Sequence, residues 1–204
     1  DLLKDLQPGM RRLVYGCHGD FDFVAKEIRN LGEDGISCVI RHHDREFSVL
    51  IPGFGTHMVY AALAATAVGY ALGMTDKEIA SGIETYQTVG SRAKVIQGQS
   101  VTVISDCYNA NPTSVHAAIE SLRMLDGRRV CILGDMLELG SEEEALHAQV
   151  GKQAAEAGIE SIIACGERSK AIYEGALKAG GHALYFPNKK ILMEQLPNLI
   201  RKED

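Results

Sequence analysis

Hydrophobic and polar positions alternate with a period of two early in the chain, then switch to a helical period. Arg12–Tyr15, Val24–Ile28, Ile36–Ile40 and Glu46–Ile51 each read as a short strand. The glycine-containing stretch Leu31–Gly35 suits a hairpin joining two of them. Pro52-Gly53-Phe54-Gly55 ends this pattern. Thr56 then offers an N-cap for a helix from His57 to Leu72, closed by Gly73. Thr75 opens a second helix that runs to Glu84, and Glu78, three residues on, completes a capping box.

A different rhythm follows. Val101–Ser105, Arg129–Leu133 and Ser161–Cys165 are β-prone runs separated by the helical stretches Pro112–Leu125, Ser141–Ala157 and Arg168–Ala179. Ala183–Phe186 and Ile191–Ile200 continue the alternation. Strands spaced by helices of this length predict βαβ units and a mostly parallel sheet, so the fold class is α/β. The two patterns meet near Val89–Val95, where Gly90 and Ser91 interrupt the periodicity. We therefore expect one domain over residues 1–92 and a second over 93–204.

Composition narrows the classes. The 204 residues are 46% hydrophobic and 24% charged, an ordinary globular balance. A net charge of -6 argues against nucleic acid as a partner, while leaving room for a local basic pocket. Five cysteines, an odd number with no CxxC pair, suit free thiols in a reducing cytosol, each behaving as a small buried hydrophobe. The opening residues carry no apolar core with a cleavage site, and the longest apolar stretch, Met58–Leu72, is too short to span a bilayer. A cytoplasmic protein without a membrane span is expected.

Ligands of doubly wound sheets bind beyond the carboxyl ends of the strands. Two segments fall there. Ser105-Asp106-Cys107-Tyr108-Asn109-Ala110-Asn111-Pro112 gathers a carboxylate, a phenol and two carboxamides ahead of a helix N-terminus. It reads equally as an anion-facing site or as an Asx-rich turn and cap. Leu133-Gly134-Asp135-Met136-Leu137-Glu138-Leu139-Gly140 is the other, and Asp135 there faces either a ligand or solvent. Arg92 fits a phosphate or a solvated surface, and His57 a local hydrogen bond or a ligand. The chain has no G-x-x-x-x-G-K-[ST] phosphate loop and no G-x-G-x-x-G.

In combination these strings are more specific. Gly55-Thr56-His57-Met58-Val59-Tyr60-Ala61-Ala62-Leu63-Ala64-Ala65, then Ser91-Arg92, then Asp106 to Pro112, then LGDMLELG ending at Gly140, then Leu146-His147 and Val150-Gly151, resemble the Mur ligase family in order and spacing. The resemblance covers nearly the whole chain. The YNANP and LGDMLELG strings point to the member that adds a D-Ala-D-Ala dipeptide rather than a single amino acid. The resemblance implies the last part of a central ATPase domain (strands plus two helices), then a Rossmann-like C-terminal domain that stops short of its usual final strands. It places the family's phosphate loop and carbamylated lysine upstream of Asp1.

The implied activity is ATP-dependent ligation of D-Ala-D-Ala to UDP-MurNAc-tripeptide through an acyl phosphate, with Mg²⁺ bridging phosphate oxygens, in peptidoglycan precursor synthesis. The resemblance assigns His57, Arg92, Asp106, Tyr108 and Asn109 to the nucleotide, with Asp106 on the ribose. It assigns Asn111, Ser114 and Asp135 to the dipeptide side. A monomer is expected, inactive as this chain alone. The family often shows H-N-x-x-N where this chain has Met58 and Ala61, and Gly-Arg where it has Ser91-Arg92. A related ligase using another amine and a non-catalytic nucleotide- or peptide-binding module are the alternatives.

Overall fold

The computed structural model describes residues 12–87, 93–202 and 204, apart from the side chain of Glu33. The chain divides into two compact units. One comprises the residues up to Pro52 with His57–Tyr86; the other comprises Gly53–Thr56 with the residues from Gln87 onward. No described helix is long and apolar enough to cross a membrane.

In the first unit, β1 (Tyr15–Gly16) lies parallel to β2 (Phe23–Asn30), and β2, β3 (Ile36–His42) and β4 (Arg45–Ile51) pair antiparallel. The predicted β2–β3 hairpin is present. It turns through a 3-10 segment, Gly32–Asp34, where Asn30 Oδ1 accepts the Gly32 N–H at 3.0 Å. Glu27 adopts φ 51° where the β2–β3 register shifts, the signature of a β-bulge. Strand β3 shows why this sheet folds. Its alternate residues Ile36, Cys38, Ile40 and His42 are buried, and the three apolar ones join a core that includes Val59, Leu63, Ile79 and Ile83 from the two following helices. Those helices are α1 (Met58–Ala71) and α2 (Asp76–Glu84).

The predicted capping box of α2 is realised: Thr75 Oγ1 accepts the Glu78 N–H, and Glu78 Oε2 accepts the Thr75 N–H at 2.8 Å. The start of α1 departs from expectation. His57, not Thr56, occupies the N-cap position, with helical angles and no side-chain cap. Burial of Val59, Leu63, Thr66 and Ala67 stabilises this helix in place of a cap. The first strand is also shifted, to Tyr15–Gly16 rather than Arg12–Tyr15.

The second unit opens with β5 (Lys94–Gln97) and β6 (Thr102–Ser105), an antiparallel hairpin. This corrects two expectations. Part of the stretch read as a junction is a strand, and the Val101–Ser105 run pairs with it antiparallel rather than joining the parallel sheet. β5 is four residues long and largely exposed, so it carries little periodic signal. The junction residues 88–92 lie outside the described residues.

Beyond the hairpin the parallel sheet appears as predicted, in the order β7 (Val130–Gly134), β8 (Ser161–Cys165), β9 (Ala183–Phe186). All five residues of β8 are buried, as a strand covered on both faces requires. Ile162 and Ala164 join a core with residues of α3 (Pro112–Arg123), α4 (Glu143–Glu156) and α5 (Lys170–Lys178). Ile163 and Cys165 pack with Leu192 of α6 (Lys189–Leu199) in a separate cluster. The unit is thus a three-layer α/β/α sandwich. Arg128 pairs with Asp204 at 2.7 Å, and the Thr102 N–H donates to the Asp204 carbonyl, which ties β6 to the residues after α6.

All five cysteines are free. Cys38, Cys131 and Cys165 are buried as expected, but Cys17 is only partly covered and Cys107 is exposed, because each of these two lies in a loop. Burial pushes the Cys38 thiol up to about 11 and the Cys131 thiol up to about 12, so both stay protonated and unreactive.

Two consequences can be measured. A methyl group at Gly151 of α4 would run into the Ile172 carbonyl of α5, and one at Gly175 of α5 into the Ala148 carbonyl of α4. Gly151→Ala is expected to lower stability by about 1–3 kcal/mol despite alanine's better helix propensity, read as a shifted urea midpoint. His42 is buried with both ring nitrogens unpartnered among the described residues, and it packs against Phe23, His43 and Tyr70. Burial, then the neighbouring His43 and Arg45, hold its pKa below the ordinary value against the opposing pull of Asp76. The folded state therefore binds this proton more weakly than the unfolded state. The stability it confers is complete above about pH 6.5 and is lost as pH falls below that value. Thermal melts across this range should show the first unit losing stability in acid, and His42→Phe should flatten the dependence.

Candidate functional site

The segment after β6 is built from local polar bonds. Asn111 caps α3: its Oδ1 accepts the Ser114 N–H at 2.9 Å, and its own N–H donates to Ser114 Oγ at 3.1 Å. Pro112 fills the first helical position, where a missing N–H costs nothing. Asn109 Oδ1 accepts the Ala110 N–H at 3.0 Å. The turn-and-cap reading of this segment is therefore realised, and it leaves Asp106, Cys107, Tyr108 and Asn109 exposed in sequence. Asp106 has a further task. Its Oδ1 accepts the N–H of Ala93, a buried residue with φ 49°, and so pins the start of β5 to the end of β6.

The segment after β7 is held more firmly. Asp135 Oδ1 accepts both the backbone N–H of Ser169, at 2.8 Å, and its hydroxyl, at 2.6 Å. Ser169 is buried and also reaches the Cys165 carbonyl at the end of β8. One carboxylate thus joins the carboxyl ends of two neighbouring strands to the first turn of α5. The next residue, Met136, is buried, and its N–H donates to Nε2 of His147 at 2.9 Å. The other ring nitrogen of His147 lies 2.7 Å from the Glu143 carbonyl. Since Nε2 accepts, the ring is neutral with hydrogen on Nδ1, which donates to that carbonyl. Glu143 in turn pairs with Arg168 at 2.8 Å.

The structure thus places Asp106, Tyr108, Asn109, Asn111 and Ser114 in one stretch at the carboxyl end of β6, and Asp135 at the carboxyl end of β7. His57 belongs to the first unit, and Arg92 lies outside the described residues. Among the described residues no group of three His, Cys, Asp or Glu side chains could hold a metal ion. Reading the residues did not single out Ser169 or Ala93, and it gave His147 no role. The available signal was the spacing His147, Val150, Gly151, Ala154, a helical core face with a polar residue on it.

Known proteins are similar to this chain in sequence and fold. Residues 91–204 match the family model described as Mur ligase, glutamate ligase domain. The UDP-N-acetylmuramoyl-tripeptide–D-alanyl-D-alanine ligase of Escherichia coli is 35% identical over 183 residues, which are 89% of this chain and 39% of that protein. The Bacillus subtilis enzyme of the same name is 32% identical over 196 residues, 94% of this chain and 42% of that protein. A crystal structure of MurF from Acinetobacter baumannii is similar with a TM-score of 0.84 at 32% identity, covering 92% of this chain and 40% of that one. The chain therefore spans about two fifths of the length of these relatives. With more than half of its residues matched by the family model, and with the fold of a solved relative, the chain belongs to the Mur ligase family.

Proposed function

We propose that this chain is part of a ligase that joins D-Ala-D-Ala to UDP-N-acetylmuramoyl-tripeptide in the cytoplasm, acting as a monomer in peptidoglycan precursor synthesis. The observation that carries this reading is continuous similarity, over nine tenths of the chain, to relatives that bear that name. Residues 1–92 would be the end of the central ATPase domain and 93–204 the C-terminal ligase domain. The start of the family match at residue 91 supports that division.

ATP is the proposed cofactor. Bound ATP would supply a γ-phosphoryl group, itself leaving as ADP, to activate the tripeptide carboxylate as an acyl phosphate, and the dipeptide amine would then displace phosphate to form the amide. The β6–α3 segment fits a nucleoside better than its phosphates. Asp106 has a carboxylate oxygen for a ribose hydroxyl, and Tyr108 and Asn109 lie exposed beside it. Residues 105–115 contain no lysine or arginine, and the capping box already takes up the Ser114 amide. Phosphate charge must therefore be balanced elsewhere, by Arg92 and by groups outside this chain. His57 is assigned to the adenine side. Asn111, Ser114 and Asp135 are assigned to the dipeptide side. Mg²⁺ would be held chiefly by phosphate oxygens and water, which needs no dedicated cluster of protein ligands.

The test is phosphate release from ATP by the complete protein with UDP-N-acetylmuramoyl-tripeptide, with and without D-Ala-D-Ala. Release that requires the dipeptide and falls about 100-fold or more in Asp106→Ala is expected. The 204-residue chain alone should release none, because it has no phosphate loop. Release with a different amine would move the activity to a sibling ligase. No release with any amine would favour a binding module.

A further inference from the structure

The reaction proposed above leaves the loop Asp135–Leu139, between β7 and the turn before α4, with a contradiction. It follows a strand at the ligand end of the sheet, where mobility is the usual state of a connecting segment. Yet it is held at two consecutive residues from two different helices. Asp135 is fixed by Ser169 at the head of α5, and the Met136 amide is fixed by His147 of α4. The Met136 side chain is 1% exposed, whereas Leu137 and Glu138 project into solvent, and Glu138 is held in the left-handed region at φ 62°. A non-glycine residue in that conformation is strained, and it persists only where its surroundings over-determine it.

His147 is 0% exposed and spends both ring nitrogens on backbone groups. A leucine of similar size would fill that space without exposing a polar group on the side chain. The histidine is needed only to receive the Met136 N–H, which would otherwise be buried without a partner. We propose that His147 is a positioning residue for the amine-binding step: through the Met136 amide it sets the loop that presents Leu137 and Glu138 to the incoming dipeptide. This inference rests on the ligase reading of the site. Neutral imidazole suits the task because its two nitrogens differ, one donating to the Glu143 carbonyl within α4 and the other accepting from the loop. The Glu143–Arg168 pair adds a contact between the first turn of α4 and the segment leading into α5.

Two amide substitutions separate the two bonds. Glutamine places its oxygen where Nε2 lies and can still accept from Met136. Asparagine retains the donor toward Glu143 and falls short of the loop. In the full-length ligase, His147→Asn should raise KM for D-Ala-D-Ala about tenfold or more while KM for ATP stays within about twofold, and His147→Gln should restore most of the difference. Hydrogen exchange on the same proteins gives a readout independent of turnover. Peptides covering Leu133–Gly140 should exchange about tenfold faster in His147→Asn and return to wild-type protection in His147→Gln, with β8 peptides unchanged.

Several results would overturn the proposal. Equal protection of the loop in wild type and His147→Asn is one. Another is equal loss across the whole unit in both variants, which would make His147 a general core residue. A third is an equal rise in both KM values. If wild type shows no dipeptide-dependent release, the ligase reading fails on its own. The assignment to an amine then falls with it, while exchange still decides whether His147 holds the loop.

Discussion

The close crossing of α4 and α5 at Gly151 and Gly175 is the constraint on which the ligand end of the second unit depends. Neither position tolerates a Cβ, since the carbonyls of Ile172 and Ala148 occupy that space. Backbones that near each other leave little freedom in helix axis or rotation. One turn before Gly151, His147 is delivered to the Met136 amide. At the head of α5, Ser169 is delivered to Asp135. Both contacts lie at the carboxyl ends of β7 and β8, so packing among apolar and glycine residues fixes the geometry of a polar loop. The buried strand β8 makes this possible by presenting Ile162 and Ala164 to one helical layer and Ile163 and Cys165 to the other.

The two loops at strand ends solve the same problem by different means. The β6–α3 segment stabilises itself with bonds between residues at most three apart, as in the Asn111–Ser114 capping box. Its longer-range anchor is Asp106 to Ala93. The β7–α4 loop relies on partners from 11 and 34 residues away. Local bonds form early and cost little chain entropy, whereas distant ones require the sandwich to be assembled first. The first loop should therefore keep its shape through small disturbances of the core, and the second should report them.

Much of this was legible in the sequence. Strands β8 and β9 and the Thr75–Glu78 capping box were readable to the residue, because short runs rich in β-branched or aromatic residues, bounded by helical segments, and S/T-x-x-E spacing carry strong local signals. The Asx-rich character of Asp106–Pro112 was readable too, and its alternatives were not, since a cap and an anion site use the same residue types. Strand β5 escaped because four largely exposed residues have no periodicity to read. Thr56 misled because a good capping residue preceded an alanine-rich helix that is stabilised by burial instead. The role of His147 depends on a contact 11 residues away and on complete burial, and neither is visible in its neighbours in sequence. Ser169 gave no signal at all, since one serine before a helix is ordinary.

The residues that mark this family are thus already occupied before any ligand arrives. Asn111 and Ser114 satisfy each other, Asp135 holds Ser169, and Asp106 holds Ala93. A side chain committed in this way contributes to binding chiefly by staying still, which lowers the ordering entropy a ligand must otherwise overcome. Residues with one bond made and one atom remaining, such as Asp106, can both fix the backbone and meet a substrate. Those with no atom to spare, such as His147, act only through what they hold. On that logic direct contacts to a ligand at this end of the sheet would fall to exposed neighbours such as Leu137 and Glu138, and the recognisable motif around them is the frame that keeps those neighbours in place.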